Sequence, residues 1–377
     1  MSNQQTEGCL LRVLHFIPSL GENDGGTTTY MQQLAPVLGQ LCDLHVCVLE
    51  SEDEYVQLEG CQTHQLSHGL FHWLRMRRQW RDLLQAVQPD VIHINGCWMP
   101  QIALITKWSK AYAQAHPGVR LFLTPHGMLE PWIMRRNFWR RKVPATWLYQ
   151  RRAVAKCDAL VATAESEREH LLHLGWNRHV YVVENGINVS AIEPKTEWRA
   201  PRYLLFMSRL HPKKGLELLL RAMVPYPQYH LTIAGMGEEN YVEQLRQLTA
   251  SLQLSGRVTF AGAVFGQKKW QLIRQADAVV LPSYSENYGL IVAESLAAAT
   301  PVITTTGTPW EAVAQQGAGW WVDPTVEALT EALGQLGKCT DEDMQRRGQC
   351  ARQLAERECS ITLKVNELYK LYLSKTV

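Results

Sequence analysis

Short apolar runs that alternate with helical stretches, through both halves of the chain, restrict the fold more than any other feature. In the first half they are Leu11–Pro18, Leu44–Glu50, Asp90–Asn95, Arg120–His126, Cys157–Thr163 and Val180–Glu184. In the second half they are Tyr203–Ser208, His230–Gly235, Arg257–Val264, Asp277–Pro282, Pro301–Thr306 and Gly319–Val322. Runs with little in–out alternation suit strands buried on both faces, as in a parallel sheet covered by helices. In such sheets ligands gather beyond the carboxyl ends of the strands. At 377 residues the chain exceeds one ordinary core, so two such units are expected.

Composition narrows the class. With 46% hydrophobic and 20% charged residues the chain reads as a globular protein rather than a disordered one. It has no apolar stretch long enough to span a bilayer, and Met1–Glu7 lacks the pattern of a signal peptide. Nine cysteines with no C-x-x-C pair argue against a disulfide framework or a structural zinc site, and a reducing cytoplasm is expected. The net charge of +2 does not define a partner, but its distribution is uneven. Residues 132–152 carry seven basic side chains and no acid, interleaved with Trp132, Phe138, Trp139, Trp147 and Tyr149, and Phe71–Arg81 is a shorter version. That pattern suits an anionic membrane surface, and equally a solvated helix face with aromatics turned to the core. No nucleic-acid-binding module surrounds it.

The densest motif is Leu281-Pro-Ser-Tyr-Ser-Glu-Asn-Tyr-Gly-Leu-Ile-Val-Ala-Glu-Ser-Leu-Ala-Ala-Ala-Thr300. A buried strand ends at Pro282, and apolar spacing from Leu290 to Ala297 predicts a helix that stops before Pro301. Backbone N–H groups at Asn287, Tyr288, Gly289 and Leu290 would face oxygen-rich ligands near the positive end of the helix dipole. Glu286 and Glu294 supply acceptors for hydroxyls; without a ligand they are a loop charge and a helix-surface charge. Upstream, Tyr203–Gly215 runs from a strand into a loop bearing Arg209, Lys213 and Lys214, with Gly215 opening a helix. An arginine fork and a lysine point charge there could clamp a diphosphate and offset charge on a leaving group. In the first half, Gly25-Gly26 separates a strand from a helix, where the lack of Cβ atoms lets a ligand approach the backbone. His126 stands between Pro125 and Gly127 at a strand end.

Glu286 and Glu294, with seven residues between them in a Pro-Ser-x-x-Glu-x-x-Gly frame, resemble the signature of the family-4 retaining glycosyltransferases. Arg209-Leu-x-x-x-Lys214-Gly resembles that family's diphosphate motif, and Asn185-Gly186 its turn before the interdomain crossing. Here Glu184 and Asn188 stand where that family usually has proline and aspartate. Together with Gly25-Gly26 and His126, the landmarks occur in family order over nearly the whole chain.

The resemblance implies an α/β protein of GT-B fold: two doubly wound Rossmann-like domains facing across a cleft, with a C-terminal helix crossing back to the first. Expected boundaries are 1–190 for the N-terminal acceptor-side domain, 191–202 for a linker, 203–355 for the C-terminal nucleotide-sugar-binding domain and 356–377 for the returning helix. It implies a retaining transferase that moves a hexosyl unit from a nucleotide-diphosphate sugar (UDP- or GDP-linked) to a saccharide or lipid-linked saccharide, as in bacterial lipopolysaccharide or capsule synthesis at the inner face of the membrane. Arg209, Lys214, Glu286 and His126 are then the catalytic group. Gly25, Gly26, Val264, Asn287, Tyr288, Gly289, Leu290 and Glu294 contact the nucleotide sugar, Val264 beside the base and Glu294 on the ribose. The acidic run Asp341-Glu-Asp343 lies in a helical tail, so no metal or other cofactor is expected to be required. Competing readings are a GT-B sugar-nucleotide epimerase, a phosphorylase dependent on lysine-bound pyridoxal phosphate, and a non-catalytic sugar-nucleotide-binding protein.

Overall fold

The computed structural model describes residues 10–21, 26–50, 55–67, 73–131, 134, 142–198 and 203–374. Gly25 and most of the basic stretch, including Trp132, Arg135, Arg136 and Phe138–Arg141, lie outside the described residues. The chain divides into two units, one of residues 1–186 with 361–377 and one of residues 187–360.

Unit 1 contains seven parallel strands: β1 (Arg12–Phe16), β2 (Asp43–Leu49), β3 (Gln62–Leu66), β4 (Val91–Asn95), β5 (Arg120–Thr124), β6 (Ala159–Ala162) and β7 (Val180–Val182). Their order, β3-β2-β1-β4-β5-β6-β7, reverses direction between β1 and β4. Alternate residues of the central strands feed two cores. Leu14, Phe16, Ile92 and Ile94 pack on one face beneath Met76, Trp80 and Ile105. Val13, Ile17 and Val91 pack on the other, beneath Tyr30, Met31 and Leu34 of the helix Gly26–Leu38 and Val365, Leu368 and Tyr372 of the helix Ile361–Leu373. The same period of two brings His15, His93 and Asn95 onto this second face. β3 was not expected from sequence. Its Gln-Thr-His-Gln-Leu is polar because it forms the sheet's edge and buries one side chain only, Leu66.

Unit 2 repeats the plan with β8 (Tyr203–Met207), β9 (His230–Ala234), β10 (Val258–Gly262), β11 (Ala278–Leu281), β12 (Val302–Thr305) and β13 (Gly319–Val322), all parallel. The order β10-β9-β8-β11-β12-β13 puts the reversal between β8 and β11. The helical tail from Asp341 consists of two helices. Asp341–Glu358, opened by a Thr340–Asp343 capping box, belongs to unit 2, whereas Ile361–Leu373 belongs to unit 1. The break falls where Ile187 donates its backbone N–H to the Cys359 carbonyl at 2.8 Å and bridges Ser360, which takes that carbonyl out of helical pairing. Among the described residues no helix is long and apolar enough to cross a membrane.

Candidate functional site

In unit 2 the chain reversal brings together the loops that follow β8 and β11. The β8 loop turns through Pro212–Lys214 and ends at Gly215, which has φ +64°. A Cβ on Gly215 would stand 2.1 Å from the Pro282 carbonyl oxygen, so only glycine lets the two loops touch there. Tyr284 N–H adds a bond to the Lys213 carbonyl at 2.9 Å. These contacts bring Lys214 Nζ into an ion pair with Glu286 Oε1, which also accepts the Ser283 hydroxyl at 2.7 Å. Glu286 N–H is itself held by the Gly307 carbonyl at 2.7 Å. Arg209 extends from the same β8 loop and is exposed, with no hydrogen-bond or ion-pair partner among the described residues.

Beyond Glu286 the chain turns through Gly289, φ +81°, into the helix Leu290–Ala297. Tyr288 is buried against Trp310, with ring centroids 5.1 Å apart, and its carbonyl accepts the Trp310 indole N–H. The Asn287–Leu290 turn is therefore anchored from below where it leads into the helix. Glu294, one helical turn on, is buried and ion-paired to Lys269 of the helix Gly266–Gln275. Val264, also buried, lies between β10 and that helix. Sequence reading did not single out Lys269, and gave Ser283 only as part of the motif's frame. Lys269 sits in a Lys-Lys pair on a charged helix, which in one dimension looks like any solvated face.

In unit 1, Gly26 begins the helix after β1, and His126 follows β5. His126 and Gly127 both adopt left-handed backbone, at φ +53° and +73°. For histidine this is uncommon, and the turn persists because its surroundings hold it. The holder is Glu167, 1% exposed, whose carboxylate accepts the N–H of Gly127 at 2.5 Å and both the N–H (2.7 Å) and hydroxyl (3.1 Å) of Thr163. The His126 ring lies edge-on to Tyr30, centroids 5.0 Å apart, and its Nε2 meets Asn95 Oδ1 at 3.0 Å. Burial lowers its pKa to about 4, so the ring is neutral at pH 7. Sequence reading missed Asn95 and Glu167. The first is the last residue of a strand and the second a first-turn helix acid, each with an ordinary local explanation.

Comparison with known proteins agrees with the two parallel sheets. Residues 24–191 match the family described as Glycosyltransferase Family 4, and residues 190–354 that described as Glycosyl transferases group 1. Among solved structures the chain is similar to sucrose-phosphate synthase from Thermosynechococcus elongatus, with a TM-score of 0.75 and 19% identity over 96% of this chain and 99% of that one. It is similar also to HepE of Anabaena in complex with UDP and glucose, with a TM-score of 0.74 and 15% identity over 97% and 100%. These likenesses define the fold as GT-B. The two family matches together run from residue 24 to residue 354, and both are described as glycosyltransferases. A curated relative, an uncharacterized glycosyltransferase of Methanocaldococcus jannaschii, is 33% identical over 162 residues, 38% of this chain and 41% of that protein. The match thus spans about half or less of the curated relatives' length.

Proposed function

We propose that the protein is a retaining glycosyltransferase that moves a hexosyl unit from a nucleotide-diphosphate sugar to a saccharide or lipid-linked acceptor, in lipopolysaccharide, capsule or related glycan synthesis. The observation that carries this reading is the ion pair of Lys214 with Glu286 at the β8–β11 reversal of unit 2, with Arg209 exposed on the same β8 loop. Two cations beside a helix start suit a pyrophosphate, and a carboxylate hydrogen-bonded at its edge suits a sugar hydroxyl. The UDP bound by HepE of Anabaena favours a uridine or similar nucleotide here.

In this reading Arg209 and Lys214 take up charge as the nucleoside diphosphate departs, a preorganised electrostatic contribution. Lys214 exchanges its partner Glu286 for the diphosphate, freeing Glu286 to accept donor hydroxyls. The amides from Asn287 to Leu290 hold the phosphate or sugar, Glu294 the ribose and Val264 the base. In unit 1, His126 meets the transferred sugar, and the Gly25-Gly26 turn admits diphosphate and acceptor. Glu286 is not the nucleophile in this scheme. The acceptor hydroxyl attacks on the face the diphosphate leaves, and a diphosphate oxygen takes its proton. The proposed reaction requires no metal.

A peripheral membrane role draws on what the structure describes of the basic segment. Trp147 and Leu148 are 73% and 70% exposed beside exposed Arg151 and Arg152. Apolar side chains next to cations suit the headgroup region of an anionic leaflet. Flotation with anionic vesicles at moderate salt tests this, and failure to float removes it.

The main reading is tested by thermal shift with UDP, GDP and their glucose conjugates. A ligand that binds only the folded chain raises Tm, by a free energy of about 2.7 kcal/mol at a hundred times Kd. At least one nucleotide should raise Tm in wild type and fail to do so in Lys214→Ala. No shift with any of them in wild type would overturn the reading.

A further inference from the structure

His126 is the surface end of a chain of buried polar groups within unit 1, and that chain has a single direction. Asn95 Nδ2 lies 3.2 Å from the Phe16 carbonyl oxygen. A carbonyl only accepts, so the amide nitrogen must face it and the amide oxygen must face His126. Rotating the amide by 180° would oppose two acceptors at Phe16. Asn95 Oδ1 therefore receives its bond from His126 Nε2, 3.0 Å away, and that nitrogen carries the proton.

The remaining groups agree. Asn95 Nδ2 also donates to His15 Nδ1 at 3.2 Å. His15 is then protonated at Nε2, which donates to the Tyr372 hydroxyl at 3.1 Å. Tyr372 donates to His93 Nδ1, and His93 Nε2 donates to Thr124 Oγ1 at 2.7 Å. Each imidazole gives one bond and takes one, as a neutral ring can. Burial, first of all, holds the pKa of His93 well below its ordinary value and lowers that of His15 to about 3, so neither ring reverses the order by taking a second proton at neutral pH.

We propose that Asn95 is a positioning residue that fixes His126 as the tautomer protonated at Nε2, so that His126 meets its ligand through an unprotonated Nδ1, as a hydrogen-bond acceptor. His126 Nδ1 has no partner among the described residues. The chemistry it selects is a hydroxyl or amine donor, and a phosphate oxygen, which needs a donor, is rejected. This rests on the reading that His126 meets a sugar, and it assigns the direction of that contact. It also separates the units' roles: cations in unit 2 take the diphosphate, and a bare ring nitrogen in unit 1 takes a hydroxyl.

Long-range nitrogen–proton NMR on the full chain with 15N-labelled histidine tests it at pH 7, with His126 assigned by its loss in His126→Gln. The expected wild-type signal is one tautomer with the proton on Nε2. A signal from the Nδ1-protonated ring, or from the imidazolium, overturns the proposal. In Asn95→Ala the ring should become a mixture of both tautomers, with kcat for transfer about ten- to a hundredfold lower. A ring that stays wholly Nε2-protonated there would show that Asn95 does not set it. Should that variant fold poorly, Asn95→Ser serves the same comparison, and the wild-type spectrum decides alone. Binding of UDP-glucose, followed separately by tryptophan fluorescence, bears on the donor reading. Its absence would count against that reading while leaving the ring's tautomer measurable.

Discussion

Lys214 and Lys269 each hold one acid of the central motif, Glu286 and Glu294. Removing one member of a largely buried pair leaves a charge without compensation, at a cost of about 3–5 kcal/mol when burial is deep. Glu294 is 6% exposed, so Lys269→Met should destabilise unit 2 measurably in urea, by somewhat less than that range because Lys269 itself is 22% exposed. Lys214→Ala and Glu286→Ala should instead show mainly in transfer, with kcat down roughly 100–1,000-fold if the diphosphate reading holds. Near wild-type rates in folded protein would remove both from the site. Glu167→Ala leaves the amides of Gly127 and Thr163 without their acceptor, each a loss of about 1–3 kcal/mol when buried. Far-ultraviolet circular dichroism should show a lower unfolding midpoint, with Glu167→Gln partly restoring it.

The two loops at the β8–β11 reversal carry their geometry in glycine. Gly215→Ala should cost roughly 1–2 kcal/mol from the left-handed backbone alone. It would also press a methyl into the Pro282 carbonyl, shifting Lys214 away from Glu286. A weaker nucleotide-induced rise in Tm than in wild type is the check. At this scale the chain was readable because β8, β11 and the helix Leu290–Ala297 each carry a local pattern: an apolar run, a proline stop, a helical period. What was unreadable depends on contacts between distant segments. Asn95 reaches Phe16 across 79 positions and Lys269 reaches Glu294 from another helix, and nothing beside either residue announces its partner. β3 was lost for the opposite reason, because an edge strand has little burial to write into its sequence.

For the molecule as a whole, acid should be destabilising in a defined window. His15 and His126 have folded pKa values of about 3 and about 4, below the ordinary 6.5, and burial is the leading cause for each. The unfolded chain binds more protons than the folded one between those values, so stability rises with pH there and falls as pH drops from about 6.5 toward 4. Calorimetry over that range should find a falling Tm, less steep in His15→Gln. A Tm that stays level from pH 6.5 to 4 would contradict the neutral, buried assignment of these rings.

Unit 1 is written in two pieces, and Tyr372 is in the second. The chain leaves the unit at Gly186 and returns at Ile361, where a Cβ on Gly186 would lie 2.6 Å from the Ile361 Cα. During translation the first seven strands emerge well before the helix that covers Val13, Ile17 and Val91. Until the ribosome has made that helix, His15 and His93 lack their shared hydroxyl and one face of the sheet is covered by the helix Gly26–Leu38 without its second partner. The nascent polypeptide must therefore wait, with its first half incomplete, while the whole of the second half is synthesised. A release stalled at Ser360 should yield a product that chaperones retain.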